Sequence, residues 1–146
     1  MARELQDRHV RELAVVSQDV LRREVLRVPD RAGNPAVDLI DVVARFALDP
    51  GMHVVIEGIL YADIYGPMLR ALAADHRGST RFCRFDLPFE ETLRRHNAKG
   101  CNRFGEAELR QWWRDQDPLA DCEEHVIGAE WDLDTIADDI ATVLRW

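Results

Sequence analysis

Apolar positions along the chain follow two periods. Leu13-Ala14-Val15-Val16 and His53-Val54-Val55-Ile56 are short, unbroken and rich in β-branched residues, as expected of strands buried on both faces. Arg81–Leu87 and His125-Val126-Ile127 read as two further strands. Between them the apolar residues recur at helical spacing. The clearest helix follows Asn34-Pro35, a good cap and then a residue suited to the first helical position. Val37, Ile40, Val43, Phe46 and Ala47 form its apolar face, Asp38, Asp41, Arg45 and Asp49 its polar one, and Asp49-Pro50-Gly51 stops it. Helices are also predicted over 2–10, Gln18–Leu26, Gly66–His76, Phe89–Ala98, Gly105–Arg114 and Leu133–Leu144. The first has no start signal, because Met1 and Ala2 are poor caps. Strands separated by helices imply an α/β fold: a mostly parallel sheet flanked by helices on both faces. No repeat or linker interrupts the 146 residues, which fit one domain.

Composition narrows the function. Hydrophobic residues at 47% and charged residues at 32% are globular proportions. A net charge of −8 argues against general nucleic-acid binding, where a basic surface supplies most of the affinity. No apolar run approaches the ~18–20 residues of a membrane span, and the charged start, MARELQDRHVREL, is unlike a secretory signal. The expected location is the cytoplasm. Cys83, Cys101 and Cys122 form no CxxC pair, so buried or inert thiols are expected rather than disulfides or zinc.

In parallel α/β sheets, ligands bind beyond the carboxyl ends of the strands. Gln18-Asp19 follows the first strand, Glu57-Gly58 the second and Asp86 the third. A carboxylate there can hold a hydrated magnesium ion or accept a proton from a substrate hydroxyl. It can equally be a helix cap, the favoured role for Asp86 and one open for Asp19; Glu57 is the least cap-like. Arg94-Arg95-His96, with Lys99 and Arg103, is the most basic stretch. Such cations either clamp phosphate oxygens or simply suit a solvated helix end. His96 with Cys101 is a weak metal pair. Trp112 and Trp113 cannot face the same way on a helix, so one is expected in the core and one partly exposed. Arg84, inside an apolar strand, requires an edge position or an acidic partner.

Taken in order, these segments resemble a known family. The blocks are Val15-Val16-Ser17-Gln18-Asp19, Leu39-Ile40-Asp41 through Phe46-Ala47-Leu48-Asp49, and His53-Val54-Val55-Ile56-Glu57-Gly58-Ile59-Leu60. Asp86-Leu87-Pro88-Phe89-Glu90-Glu91-Thr92-Leu93-Arg94-Arg95-His96 and Phe104-Gly105-Glu106 follow. The order is similar to that of small bacterial P-loop kinases, the zeta-toxin and chloramphenicol-phosphotransferase-like members of the nucleoside-kinase-like group. The resemblance implies a P-loop NTPase fold and transfer of phosphate from ATP, with Mg2+, to a small-molecule hydroxyl. It implies Asp19 as the substrate's base, Glu57 near the magnesium, and Arg94, Arg95 and Lys99 in a lid at about residues 94–106. Arg22 and Arg23 are the expected substrate-pocket residues.

The family's first strand and its G-x-x-x-x-G-K-[ST] loop have no counterpart in the sequence. Met1–Leu5 resembles the helix that follows that loop, so an N-terminally incomplete domain is expected. Without the loop, phosphate affinity and transfer are expected to be impaired, and the alternative is a non-catalytic remnant or an acidic α/β binding protein. The missing strand would lie between the strand ending at Glu57 and the strand holding Arg84. Its absence forces those two strands either to close up or to keep open edges.

Overall fold

The computed structural model describes residues 1–9, 12–76, 78–98, 100 and 104–144. Lys99, Cys101 and Arg103 lie outside the described residues. The order is α1 (Ala2–His9), β1 (Leu13–Ser17), a π-helical segment (Val20–Leu26), α2 (Ala36–Leu48), β2 (His53–Glu57), α3 (Ala62–Asp75), β3 (Phe82–Phe85), α4 (Phe89–Ala98), α5 (Glu106–Trp112), β4 (Glu124–Ile127) and α6 (Leu133–Leu144).

β1 and β2 pair in parallel, from Leu13 opposite His53 to Ser17 opposite Glu57. Successive strand residues point to opposite faces, and each face finds its own cover. Leu13 and Val55 pack with Leu5, Ile136 and Ile140 of α1 and α6. Val16, Val54 and Ile56 pack with Ile40, Tyr65 and Leu69 of α2 and α3. Continuous apolar runs follow from this two-sided burial.

β3 and β4 form a second parallel ladder, from Phe82 opposite Glu124 to Phe85 opposite Ile127. The expected single sheet is therefore two separate sheets of two strands each. A ladder needs neighbouring backbones about 4.7–4.9 Å apart, and no described strand bridges β2 and β3. The strands have kept open edges rather than closed up. Helices hold the halves together: Leu5 of α1 is 1% exposed in a cluster that includes both Leu13 and Ile127. Arg8 of α1 pairs with Asp134 and Asp138 of α6.

Several local expectations change. Residues 20–26 form a π-helix, a rare geometry that often marks functional positions. α3 begins at Ala62 rather than Gly66, with Pro67 inside it, because the Ala62 amide donates to the Asp117 carboxylate at 3.1 Å and so anchors an earlier turn. Asn34 caps as expected, accepting from the Ala36 amide at 3.0 Å. Phe46, however, is 79% exposed, because the buried stripe of α2 runs through Ala36, Ile40, Ala44 and Ala47. At about 100° per residue, Phe46 falls roughly a third of a turn from that stripe. Arg84 has acidic partners, Glu124 at 3.0 Å and Asp86 at 3.6 Å. Neither Trp112 nor Trp113 enters the core: both are half-buried, edge-on to Phe104 and Phe89. Cys83 is exposed and Cys122 half-buried, so neither is a buried thiol. Among the described residues, no helix is long and apolar enough to cross a membrane.

Candidate functional site

The carboxyl end of β1 runs directly into a buried polar network. Gln18, fully buried, donates from Nε2 to the Tyr65 hydroxyl at 2.9 Å and to Asp30 Oδ2 at 3.1 Å. Tyr65, also fully buried, donates to Asp30 Oδ1 at 2.7 Å. Burial pushes the Tyr65 phenol above its ordinary value, so it stays a donor through the neutral range. Gln18 Oε1 is buried without a hydrogen-bond partner among the described residues. It lies against Gly58, just after β2, where a Cβ would come within 2.7 Å of Gln18 Cβ and 3.2 Å of Oε1. Gly58 also has φ +144°, which L side chains rarely adopt, so only glycine lets the two strand ends approach this closely.

Asp30 passes the network to Arg22. The Arg22 guanidinium is buried, with Nε 3.7 Å from Asp30 Oδ2 and Nη1 donating to the Val28 carbonyl at 3.2 Å. Its Nη2 donates to Asp19 Oδ1 at 3.3 Å, and Arg23 Nε reaches the same oxygen at 2.9 Å. Asp19 is half-exposed and held in a fork between the two arginines. The structure thus brings together three of the residues singled out in the sequence.

Arg23 extends the site to α4 and α5. Its guanidinium lies 4.7 Å from the Trp112 ring centre and 6.0 Å from that of Phe104. Phe104 stacks on His96 at 4.6 Å, and His96 Nε2 lies 3.0 Å from the Phe104 carbonyl oxygen. His96 therefore packs within the aromatic group. The Tyr61 hydroxyl donates to the Trp112 carbonyl at 2.8 Å, tying the start of α3 to the end of α5.

Glu57 stands opposite Ser17 at the end of the β1–β2 ladder. It is exposed, forms no ion pair among the described residues, and lines a cleft of about 530 Å3 with Met1, Gln6, Ser17 and Val20. Arg94 and Arg95 are engaged elsewhere. Both pair with Glu91 at 2.6 Å, and Arg95 Nη2 donates to the Ala129 carbonyl at 2.9 Å. Hydrogen bonds from Arg94 and Arg95 pull the Glu91 carboxyl down to about 2. Asp86 turns to Arg84 rather than capping α4. No group of three or more His, Cys, Asp or Glu side chains that could hold a metal occurs among the described residues.

Asp30, Tyr65 and the need for glycine at position 58 escaped the sequence reading. Gln18, Asp30, Gly58 and Tyr65 lie far apart in the chain, and no local pattern links them. The one available signal was Tyr65, the polar-tipped member of an apolar helical stretch.

No protein-family model matches the sequence, and no curated protein matches it. A solved structure does: the tunicamycin resistance protein of Deinococcus radiodurans superposes with a TM-score of 0.64 over 99% of this chain and 88% of that chain. The two chains share a fold. With 15% of residues identical, the likeness extends to the fold alone.

Proposed function

We propose that this chain is a kinase-like phosphotransferase domain that binds a small-molecule hydroxyl acceptor at the carboxyl ends of β1 and β2. The observation that carries the reading is the Asp19 fork. A half-exposed carboxylate is fixed by two guanidinium groups, one of them buried, at the strand end where α/β sheets bind ligands. In this role Asp19 Oδ2, the oxygen not held by the arginines, accepts the acceptor's hydroxyl proton. Arg22 and Arg23 position Asp19, and Arg23 with Trp112 borders the acceptor. Glu57 would hold Mg2+ through water, in the cleft it lines with Ser17 and Val20. ATP-Mg2+ would supply the transferred phosphoryl group.

The phosphate side is the weaker half. The sequence has no G-x-x-x-x-G-K-[ST] loop, and Arg94 and Arg95 must leave Glu91 before they can meet phosphates. Acceptor binding is therefore expected to outlast efficient transfer, which keeps a non-catalytic binding role as the second reading. The neighbouring fold belongs to a protein named for tunicamycin resistance, so tunicamycin and other hydroxylated small molecules form the first panel. The test is thermal shift and calorimetry against that panel, followed by transfer from labelled ATP. A ligand that stabilises the wild type but not Asp19→Asn supports the acceptor site. Turnover that depends on Asp19 adds the kinase activity, and binding without turnover selects the binding role. Binding indifferent to Asp19, Arg22 and Arg23 overturns the site.

A further inference from the structure

α2 has a wider apolar surface than the core uses. Its buried stripe runs through Ala36, Ile40, Ala44 and Ala47. At about 100° per residue, Val43, Leu39, Phe46 and Val42 follow one another about 60°, 100°, 120° and 160° from Ile40, all on one side. Leu39 and Val43 are half-buried, whereas Val42 is 61% and Phe46 79% exposed. The opposite side is polar, with Asp41, Arg45 and Asp38. Single exposed apolar residues are ordinary, but a run at i, i+3, i+4 and i+7 is the stripe a surface helix turns toward a partner. The stripe continues onto the adjoining π-helical segment, where Val20 is exposed and lines one cleft with Val43.

We propose that this flank of α2 docks an amphipathic helix of another protein, one whose apolar stripe is bordered by lysines and arginines. The rim of the stripe sets that charge. Asp38 and Asp49 lie within about 40° of Val42 around the helix, are exposed, and form no ion pair among the described residues. Arg45, the one cation of α2, is already shared between Asp41 at 2.9 Å and Asp75 at 3.0 Å. The rim is therefore net negative, and cations bordering the incoming stripe complement it. The same rim disfavours other covers. A two-fold pair of copies sets one acidic rim against its equal, in chains of net charge −8. An anionic membrane surface meets the same repulsion.

The test uses the whole chain and a synthetic helical peptide about as long as α2, with leucines at i, i+3, i+4 and i+7, lysines on both borders and alanines on the far side. The expected result is saturable binding, with NMR shifts centred on the methyl groups of Leu39, Val42 and Val43 and on the Phe46 ring. Phe46→Ser should weaken binding about tenfold or more. Because Phe46 is 79% exposed, that variant should keep its melting temperature within about 2 °C. A peptide bordered by glutamates should bind about tenfold or more weakly, and the double variant Asp38→Lys, Asp49→Lys should reverse that preference. No binding, shifts elsewhere on the chain, affinity indifferent to Phe46→Ser, or equal affinity for the two peptides overturns the proposal. So does a free chain that is dimeric by light scattering and becomes monomeric in Phe46→Ser, because a second copy then covers the flank. Binding to anionic vesicles that Phe46→Ser abolishes also overturns it, in favour of a membrane surface.

Discussion

Replacing Tyr65 by Phe removes one oxygen from the centre of the polar network and leaves the apolar packing of α3 intact. That oxygen donates to Asp30 at 2.7 Å and accepts from Gln18 at 2.9 Å, and Tyr65 is 0% exposed, so water cannot take its place. A hydrogen bond to a charged group contributes about 1.5–3 kcal/mol and a neutral one about 1 kcal/mol. Gln18 keeps its second acceptor, Asp30 Oδ2, which limits the neutral loss. The expected cost is about 3 kcal/mol, or roughly 10 °C in melting temperature for a chain of this size. The assay is urea and thermal unfolding of the wild type, Tyr65→Phe, Asp30→Asn and the double variant. The double variant should be less destabilised than the sum of the singles by about 1 kcal/mol or more, as expected for groups in direct contact. A loss below about 1 kcal/mol in Tyr65→Phe, or strict additivity, would refute the view that this oxygen holds Asp30 in place.

Other substitutions separate the buried from the exposed parts of the site. Arg22→Ala should cost about 3 kcal/mol or more, since it strands Asp30 without its buried counter-charge, whereas Arg23→Ala should cost under about 1 kcal/mol; equal effects in denaturant titrations would contradict the difference in burial. Gly58→Ala should destabilise by more than about 1 kcal/mol through both its φ and its clash with Gln18, and a crystal structure with Gln18 undisplaced would dispute this. Glu91 has a folded value of about 2 against an ordinary 4.5, so its contribution is fully present above 4.5 and is lost as pH falls toward 2. Glu91→Gln should therefore flatten the stability profile across that acid window and leave neutral pH as the most affected region; an unchanged slope in acid titration of unfolding would count against the Arg94–Glu91–Arg95 cluster.

The α/β character was legible because burial on two faces writes itself locally as continuous apolar runs, and burial on one face as helical spacing. Leu13–Ser17, His53–Glu57 and Phe89–Ala98 emerged close to their expected bounds for that reason. Phe46 and the start of α3 did not, because the first depends on where the α2 stripe is centred and the second on the distant carboxylate of Asp117. In the site, Asp19, Arg22 and Arg23 were recoverable, being three and four residues apart at the end of one strand. Asp30 and Tyr65 were not, because their partners come from separate elements.

The sequence by itself determined where most strands and helices lie and where carboxylates follow strand ends. These are properties of nearest neighbours along the chain, set by spacing and side-chain type. Only the tertiary structure decided that four strands make two sheets, that Arg94 and Arg95 are engaged by Glu91, and that a buried chain from Gln18 and Tyr65 through Asp30 and Arg22 ends at Asp19. Strand pairing and desolvation are decided between residues far apart in sequence, where hydrogen bonds must be completed or left open, and no local pattern encodes which of the two occurs.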